Sequence, residues 1–481
     1  GFLFYDTHSL RSSLTAAQNK WLELKASGNL NICLQLIQES ARKSFDWHAD
    51  NVGAAKSYHD LYFFLSKPKP KIVVLNMSYE YKQVKLGGVG EMVTALCDVL
   101  NKKKHELQIE SRVITPYYPW HEDLIKNGVL KQENITWKIA HLYLNQEIYS
   151  EILVINNTGT IQYLVKPLSG QNGLDIFQEV TADKQTAIYD TITPKMTYFN
   201  SAVAAFVTSK LPDVPKINIL NAHSWGCGLT AKILKDYYNA DVPRSILTVH
   251  SEFSEQGVIT NDHEHMQYMH GIGLDFIPGV DISPLVQGML SADHVVYVSE
   301  DLERQSLCHS GPYSVKNLSA YLSEIGHASA IINNISGVFD PENLKLDLSN
   351  FYQAKIAAKN TINQLIDACN YINNDEKNCL SGKFLDPDKS MTMFVGRFLH
   401  EKGINSLQAA IEATLDNNGC FVVMGLYGGG PEDQYIQALA SHYSANPNII
   451  ILHEKTYTVQ RKYGPLIRLA ADFTFIPSHR E

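Results

Sequence analysis

Residues 71–100 read KIVVLNMSYEYKQVKLGGVGEMVTALCDVL. An apolar run is followed by a basic residue, paired glycines and a stretch with apolar residues at helical spacing. That order predicts a strand, a loop and a helix. The junction Lys85-Leu86-Gly87-Gly88 suits phosphate: glycine lets a ligand approach the backbone closely, and a helix N-terminus aims unpaired N–H groups at it. One Gly-Gly turn is weak evidence on its own, so the rest of the chain has to decide.

The pattern recurs. SRVITPYYP (111–119), INILNAHS (217–224), RSILTVHS (244–251) and DHVVYVS (293–299) read as strands with helix-like segments between several of them. Residues 130–170 read as added strands or hairpins. A second series begins near 331, where SAIINNIS is followed by the helical FYQAKIAAKNTINQLIDACNYI. Then come MTMFVGRF (391–398), CFVVMGLYGGG (420–430), NIIILHEK (448–455) and DFTFIPS (472–478). Alternation of this kind predicts an α/β protein with mostly parallel sheets covered on both faces.

A chain of 481 residues exceeds one core. The expected division is a helical N-terminal extension over 1–66, ended by SKPKPK (66–71), then one Rossmann-like domain over 67–330 and a second over 331–481. Two doubly wound domains predict a ligand cleft between them, with ligands at the carboxyl ends of strands. The sequence stops at PSHRE, just after a strand, which predicts that the second domain continues beyond 481.

Composition narrows the function. Hydrophobic residues make up 44% and charged residues 19%, ordinary for a globular protein, and the formal net charge is −9. A net negative chain argues against nucleic-acid binding by phosphate neutralisation. No apolar run reaches membrane-span length. Cys33, Cys97, Cys227, Cys308, Cys369, Cys379 and Cys420 are scattered, odd in number and without a C-x-x-C pair. They read as free thiols in a reducing, cytoplasmic compartment.

The candidate chemistry follows the predicted strands: Lys85, Gly87 and Gly88; His223 in NAHSWGCGL; His250 in TVHSEFSEQG; Arg397 and Lys402 in GRFLHEKG; Gly425, Gly428 and Gly429 in GLYGGG; and Glu481. Taken alone, Arg397 or Lys402 would more often be a solvated surface charge. Together, five residues apart across a strand-to-helix loop, they can neutralise a diphosphate, one as a planar fork and one as a point charge. With a helix N-terminus they would stabilise a diphosphate leaving group without a metal. No pair of carboxylates suits a double displacement.

In order and spacing the chain resembles the glycogen/starch synthase family of GT-B glycosyltransferases. KLGGVGEMVTAL is similar to the family's Lys-Thr-Gly-Gly-Leu loop, and VITPYYP to its next strand. LNAHSWGCGLTA resembles its His-Ala-His-Asp-Trp segment, and LTVHSEFSEQG its Thr-x-His-Asn segment. SADHVVYVSEDL, IINNISGVFDPEN, FVGRFLHEKGINSL and AADFTFIPSHRE resemble four later family segments in turn. The span is roughly 70–481.

The resemblance implies hexosyl transfer with retention from a nucleotide-diphosphate sugar (UDP-, ADP- or GDP-hexose), with no further cofactor. It implies that Lys85, Gly87 and Gly88 face the donor, that Arg397 and Lys402 hold the diphosphate, that His250 contacts the sugar and that Glu481 sits by the sugar ring. It also implies an acceptor side in 67–330 and a nucleotide-sugar side in 331–481.

Where the family has His-Ala-His-Asp, this chain has Asn221-Ala222-His223-Ser224. The missing carboxylate points to an acceptor, polysaccharide or protein, that is not ordinary glucan. A protein-modifying effector or toxin, exported from its cell, is one form of this. The alternative class is a binding protein that uses 1–66 to hold a protein partner, with the rest a scaffold or weak sugar-nucleotide hydrolase. Two lookalikes are set aside. The histidines in DHEHMQYMHG (262–271) fit no helical H-E-x-x-H metal motif and read as a polar loop over the cleft. Asp386-Pro387-Asp388 reads as a turn.

Overall fold

The computed structural model describes residues 57, 58 and 61, then 72–331 and 351–477 apart from interruptions, the longest being 169–175, 251–262, 275–283, 304–312 and 371–377. The helical reading of 1–66 therefore lies outside the described residues, save for 57, 58 and 61, which are helical. Glu481 and Gly429 also lie outside them. The described residues divide into two compact units, one within 48–336 and the other from 337 onward.

The first unit is built on a nine-stranded sheet in the order β3-β4-β5-β2-β1-β6-β7-β8-β9. Its parallel strands are β1 (Ile72–Met77), β2 (Ile109–Pro116), β6 (Ile219–His223), β7 (Arg244–Val249), β8 (His294–Tyr297) and β9 (Ala328–Ala330). The expected hairpins are β3 (Gln132–Tyr143), β4 (Gln146–Asn157) and β5 (Thr160–Pro167), paired antiparallel, with β5 parallel to β2. The second-series strand expected at 329–336 is instead β9, the edge of this first sheet, because Ala328–Ala330 pairs with β8.

Every residue of β1 is buried, as a strand covered on both faces requires. One face carries Val73, Leu75, Leu220 and Leu247 against the almost wholly buried helix Ile192–Thr208. The other carries Ile72, Val74, Ile219 and Ile246. It meets Met92, Val93, Leu96, Cys97 and Leu100, spaced three and four apart on the helix Gly88–Lys102. Tyr58 is buried in this second layer.

The second unit holds a five-stranded sheet in the order β10-β13-β12-β11-β14. Its strands are β10 (Asn378–Ser381), β11 (Met391–Phe398), β12 (Cys420–Tyr427), β13 (Ile449–Glu454) and β14 (Phe473–Thr474). All pair parallel except β10 with β13. At the amino ends of β11 and β14, Asp472 accepts the N–H of Met391 at 2.9 Å. It also binds Lys355 Nζ at 2.9 Å and Lys359 Nζ at 3.4 Å. These lysines lie one turn apart on the helix Phe351–Asn370, so one carboxylate ties that helix to two strands.

Candidate active site

Strand order reverses next to β1 in the first sheet, with β2 on one side and β6 on the other. It reverses next to β11 in the second, between β12 and β14. Loops leaving the carboxyl ends of such neighbours diverge and leave a crevice, the usual place for a ligand in this class of sheet. Each unit places its described candidate residues at or near the carboxyl half of its strands. Lys85, Gly87 and Gly88 follow β1; His223 ends β6 and His250 follows β7. Arg397 is the next-to-last residue of β11 and Lys402 lies in the turn after it; Gly425 and Gly428 lie in and after β12.

The loop after β1 is packed from within. Glu80, buried, accepts the Gly87 N–H at 2.9 Å and the Tyr189 hydroxyl. Lys85 is also buried, and its ammonium lies 2.6 Å from the Glu91 carboxylate on the helix Gly88–Lys102. Gly90 must be glycine, because a Cβ there would come 2.5 Å from the Lys85 Cβ. Apart from the adjoining chain, no described atom lies within 4 Å of where side chains of Gly87 and Gly88 would stand. The structure thus gives Lys85 an ion pair with the first turn of the following helix. Neither Glu80 nor Glu91 was singled out from sequence, since partnership across a loop leaves no periodic trace.

Behind His223 the sheet turns from apolar to polar. In β1, β6 and β7 the positions sharing one face run Val74–Asn76, Ile219–Asn221–His223 and Ile246–Thr248, with apolar residues toward the amino ends. His223 Nε2 lies 3.1 Å from Asn76 Oδ1, and His223 Nδ1 lies 3.3 Å from His250 Nε2. Asn221 Nδ2 donates to Asn76 Oδ1 at 3.1 Å, and Thr248 Oγ1 donates to Asn221 Oδ1 at 2.9 Å. Tyr58 closes the row through its hydroxyl, 3.3 Å from Thr248 Oγ1. The sequence signal for this row was the alternation Asn-x-His in β6 and a lone Asn at the end of an apolar strand. Ser224, next after His223, holds φ 71° and ψ 162°, a backbone conformation that residues with a Cβ rarely adopt.

Burial drives the imidazoles toward their neutral forms. The His250 ring is pushed down to about 4, and His223 well below its ordinary value, with the neighbouring His250 adding to the effect. Buried His121 and His141 are each pushed down to about 3 for the same main reason. Such rings stay uncharged in the folded chain while the unfolded chain takes up a proton below about pH 6.5. Stability should therefore fall on acidification, by up to about 1.4 kcal/mol per pH unit for each ring between roughly pH 6.5 and 4. A urea titration at pH 7 and at pH 5 should show a lower midpoint at pH 5; equal midpoints would contradict this.

In the second unit, Arg397 and Lys402 are both half-buried, and among the described residues neither side chain has a hydrogen-bond or ion-pair partner. The contrast with the paired Lys85, Lys355 and Lys359 is direct. The Lys402 turn is fixed by its own backbone, with the Lys402 N–H on Leu399 O at 2.9 Å. It ends at Gly403, where φ is +66° and a Cβ would come 2.1 Å from Pro477 O. Gly425 is a packing glycine inside β12: its Cβ would stand 2.2 Å from Gly396 O, under the Phe398 ring. The Gly428 N–H is held by Asp433 Oδ1 at 2.9 Å, at the start of the helix Pro431–Tyr443.

Both lookalikes can be placed. Asp386 Oδ1 accepts the Asp388 N–H at 3.0 Å, the expected turn. His263–His270 is a helix rather than a polar loop, seated by buried Met269. Among the described residues no helix is long and apolar enough to cross a membrane.

Comparison with known proteins bears on the family and the fold. The family described as starch synthase catalytic domain matches residues 73–320. A glycogen synthase from Chlamydia caviae is 24% identical over 409 residues, covering 83% of this chain and 78% of its own length. A glycogen synthase from Chlamydia abortus is 23% identical over 418 residues with the same coverage. One from Yersinia pestis is 26% identical over 230 residues, 47% of this chain and 45% of its own. Among solved structures, the catalytic domain of starch synthase IV from Arabidopsis thaliana, bound to ADP and acarbose, superposes with a TM-score of 0.65. The identity there is 16%, and the match covers 85% of this chain and 78% of that one.

Proposed function

Because this chain belongs to the glycogen/starch synthase family of GT-B nucleotide-sugar glycosyltransferases, we propose that it moves a hexose, with retention at the anomeric carbon, from a nucleotide-diphosphate sugar to an acceptor other than ordinary glycogen. The observation that carries this reading is the pair of half-buried cations Arg397 and Lys402, without a side-chain partner among the described residues, at the carboxyl end of β11 beside a reversal of strand order. An uncompensated charge kept partly from water is costly unless a ligand of opposite charge completes it.

In this mechanism the bond between the anomeric carbon and the diphosphate oxygen breaks, and its electron pair leaves on the diphosphate. Arg397 and Lys402 bind that group more strongly as its charge grows, which lowers the barrier. They do work that a metal would otherwise do. The acceptor hydroxyl forms the new bond on the same face, and its proton goes to the departing phosphate oxygen. His250 bears on the sugar. Glu481, outside the described residues, is assigned to the sugar ring. Gly87 and Gly88, without side chains, let the donor come close to a helix start.

The departure at Asn221 and Ser224 supports a different acceptor, with a protein as one class. The scattered cysteines, of which Cys97, Cys227 and Cys420 are free and buried, suit a reducing compartment. A second reading, that the chain chiefly binds a partner and turns over little, is favoured by one observation: Lys85 is already neutralised by Glu91.

A panel of UDP-, ADP- and GDP-hexoses, read by released nucleotide, separates the two. Transfer predicts turnover with one donor, stimulated by its acceptor. Absence of turnover with every donor, from a full-length protein, would leave only the binding role.

A further inference from the structure

The directions of the hydrogen bonds behind His223 are fixed by elimination. Asn76 Nδ2 lies 3.3 Å from Arg112 O and 2.9 Å from Ser111 Oγ. A backbone carbonyl can only accept, so the amide nitrogen faces it and Asn76 Oδ1 is turned the other way as an acceptor. His223 Nε2, 3.1 Å from that oxygen, must then carry the proton. A neutral ring protonated on Nε2 has a lone pair on Nδ1, so the 3.3 Å contact to His250 is donated by His250 Nε2–H. The second arm agrees. Asn221 donates to the same Asn76 oxygen, and Thr248 donates to Asn221. The Thr248 proton is thereby spent, and Tyr58 must donate to Thr248. Two chains of donors converge on one amide oxygen, and Asn76 passes the sense on to Arg112 O. Asn76, His223, Asn221 and Thr248 are all fully buried, so water does not compete for these bonds.

We propose that Asn76 is a positioning residue that sets the tautomer and ring orientation of His223 and, through it, of His250 at the carboxyl edge of the sheet. It does not touch substrate; it acts through two imidazoles. The value of this to the reaction rests on the glycosyltransferase reading, in which His250 meets the sugar. The hydrogen-bond sense does not depend on that reading.

Histidine-selective long-range ¹⁵N–¹H spectra of the full chain test it, with His223→Gln and His250→Gln assigning the signals. In the wild type both rings should carry their proton on Nε2; a proton on Nδ1 of either ring overturns the proposal. Asn76→Leu removes the acceptor and should move His223 away from a pure Nε2–H form. Asn76→Asp keeps an oxygen in place and should retain that form. With the donor found active, Asn76→Leu should lower kcat/KM by about tenfold, the worth of one misdirected hydrogen bond. An unchanged kcat/KM, or an unchanged His223 spectrum in the leucine variant, defeats the proposal. If the wild type turns over no donor, the glycosyltransferase reading fails, and the wild-type spectrum still decides the network.

Discussion

Arg397→Ala is expected to lower hexosyl transfer by about 10²–10³-fold, the usual cost of deleting one preorganised group that meets developing charge. Arg397 is held by β11, where it pairs in register with Leu426 of β12, so its guanidinium starts from a rigid strand rather than a loop. Among the described residues it has no partner to give up when a diphosphate arrives. Lys402 would remain in the variant, which is why loss should stop short of the uncatalysed rate. Arg397→Lys keeps the charge but not the planar fork, and should recover part of the rate. Initial rates of nucleotide release, with circular dichroism to show an intact fold, provide the measurement. A variant within threefold of wild type would mean the diphosphate is held elsewhere.

Asp472→Ala is expected to destabilise the second unit by about 3–5 kcal/mol, as removal of one partner from a buried ion pair does. Burial alone would push the Asp472 carboxyl up. The Lys355 and Lys359 ammoniums, with hydrogen bonds from Lys355 and the Met391 N–H, outweigh it and hold the group below its ordinary range. Burial meanwhile pushes the Lys355 ammonium down, against the pull of Asp472. Deleting the carboxylate removes the counter-charge of two largely buried lysines one turn apart, leaving carbonyls such as Ala471 O beside Lys355 and Lys389 O, 2.6 Å from Lys359. The sign with pH follows. A depressed carboxylate gives stability that is present above its unfolded value and is lost as pH falls through its folded one. Urea denaturation at neutral pH should show the lower midpoint, and a loss under 1 kcal/mol, a surface-pair value, would show the cluster to be solvated.

Much of the framework could be read from sequence because buried parallel strands are spelled as short apolar runs. MTMFVGRF coincides with β11, and the hairpins of 130–170 emerged as β3 to β5. The failures have physical causes. Ala328–Ala330 carries no branched apolar residue, so sequence pattern points instead to the apolar residues of 329–336 and to the wrong series; the strand's identity comes from its β8 neighbour. His263–His270 is helical although its polar side chains read as loop, because tertiary seating of Met269 overrides local preference. At the site, the strand-end positions were legible but their partners were not. The Lys85–Glu91 pair and the Asn76–Asn221 match depend on loop closure and cross-strand register, which one sequence does not display.

The carbonyl of Pro477 occupies the space where a side chain at position 403 would project. A residue larger than glycine at 403 would have to push the Lys402 turn and the exit of β14 apart, so one substitution there would disturb two loops at once.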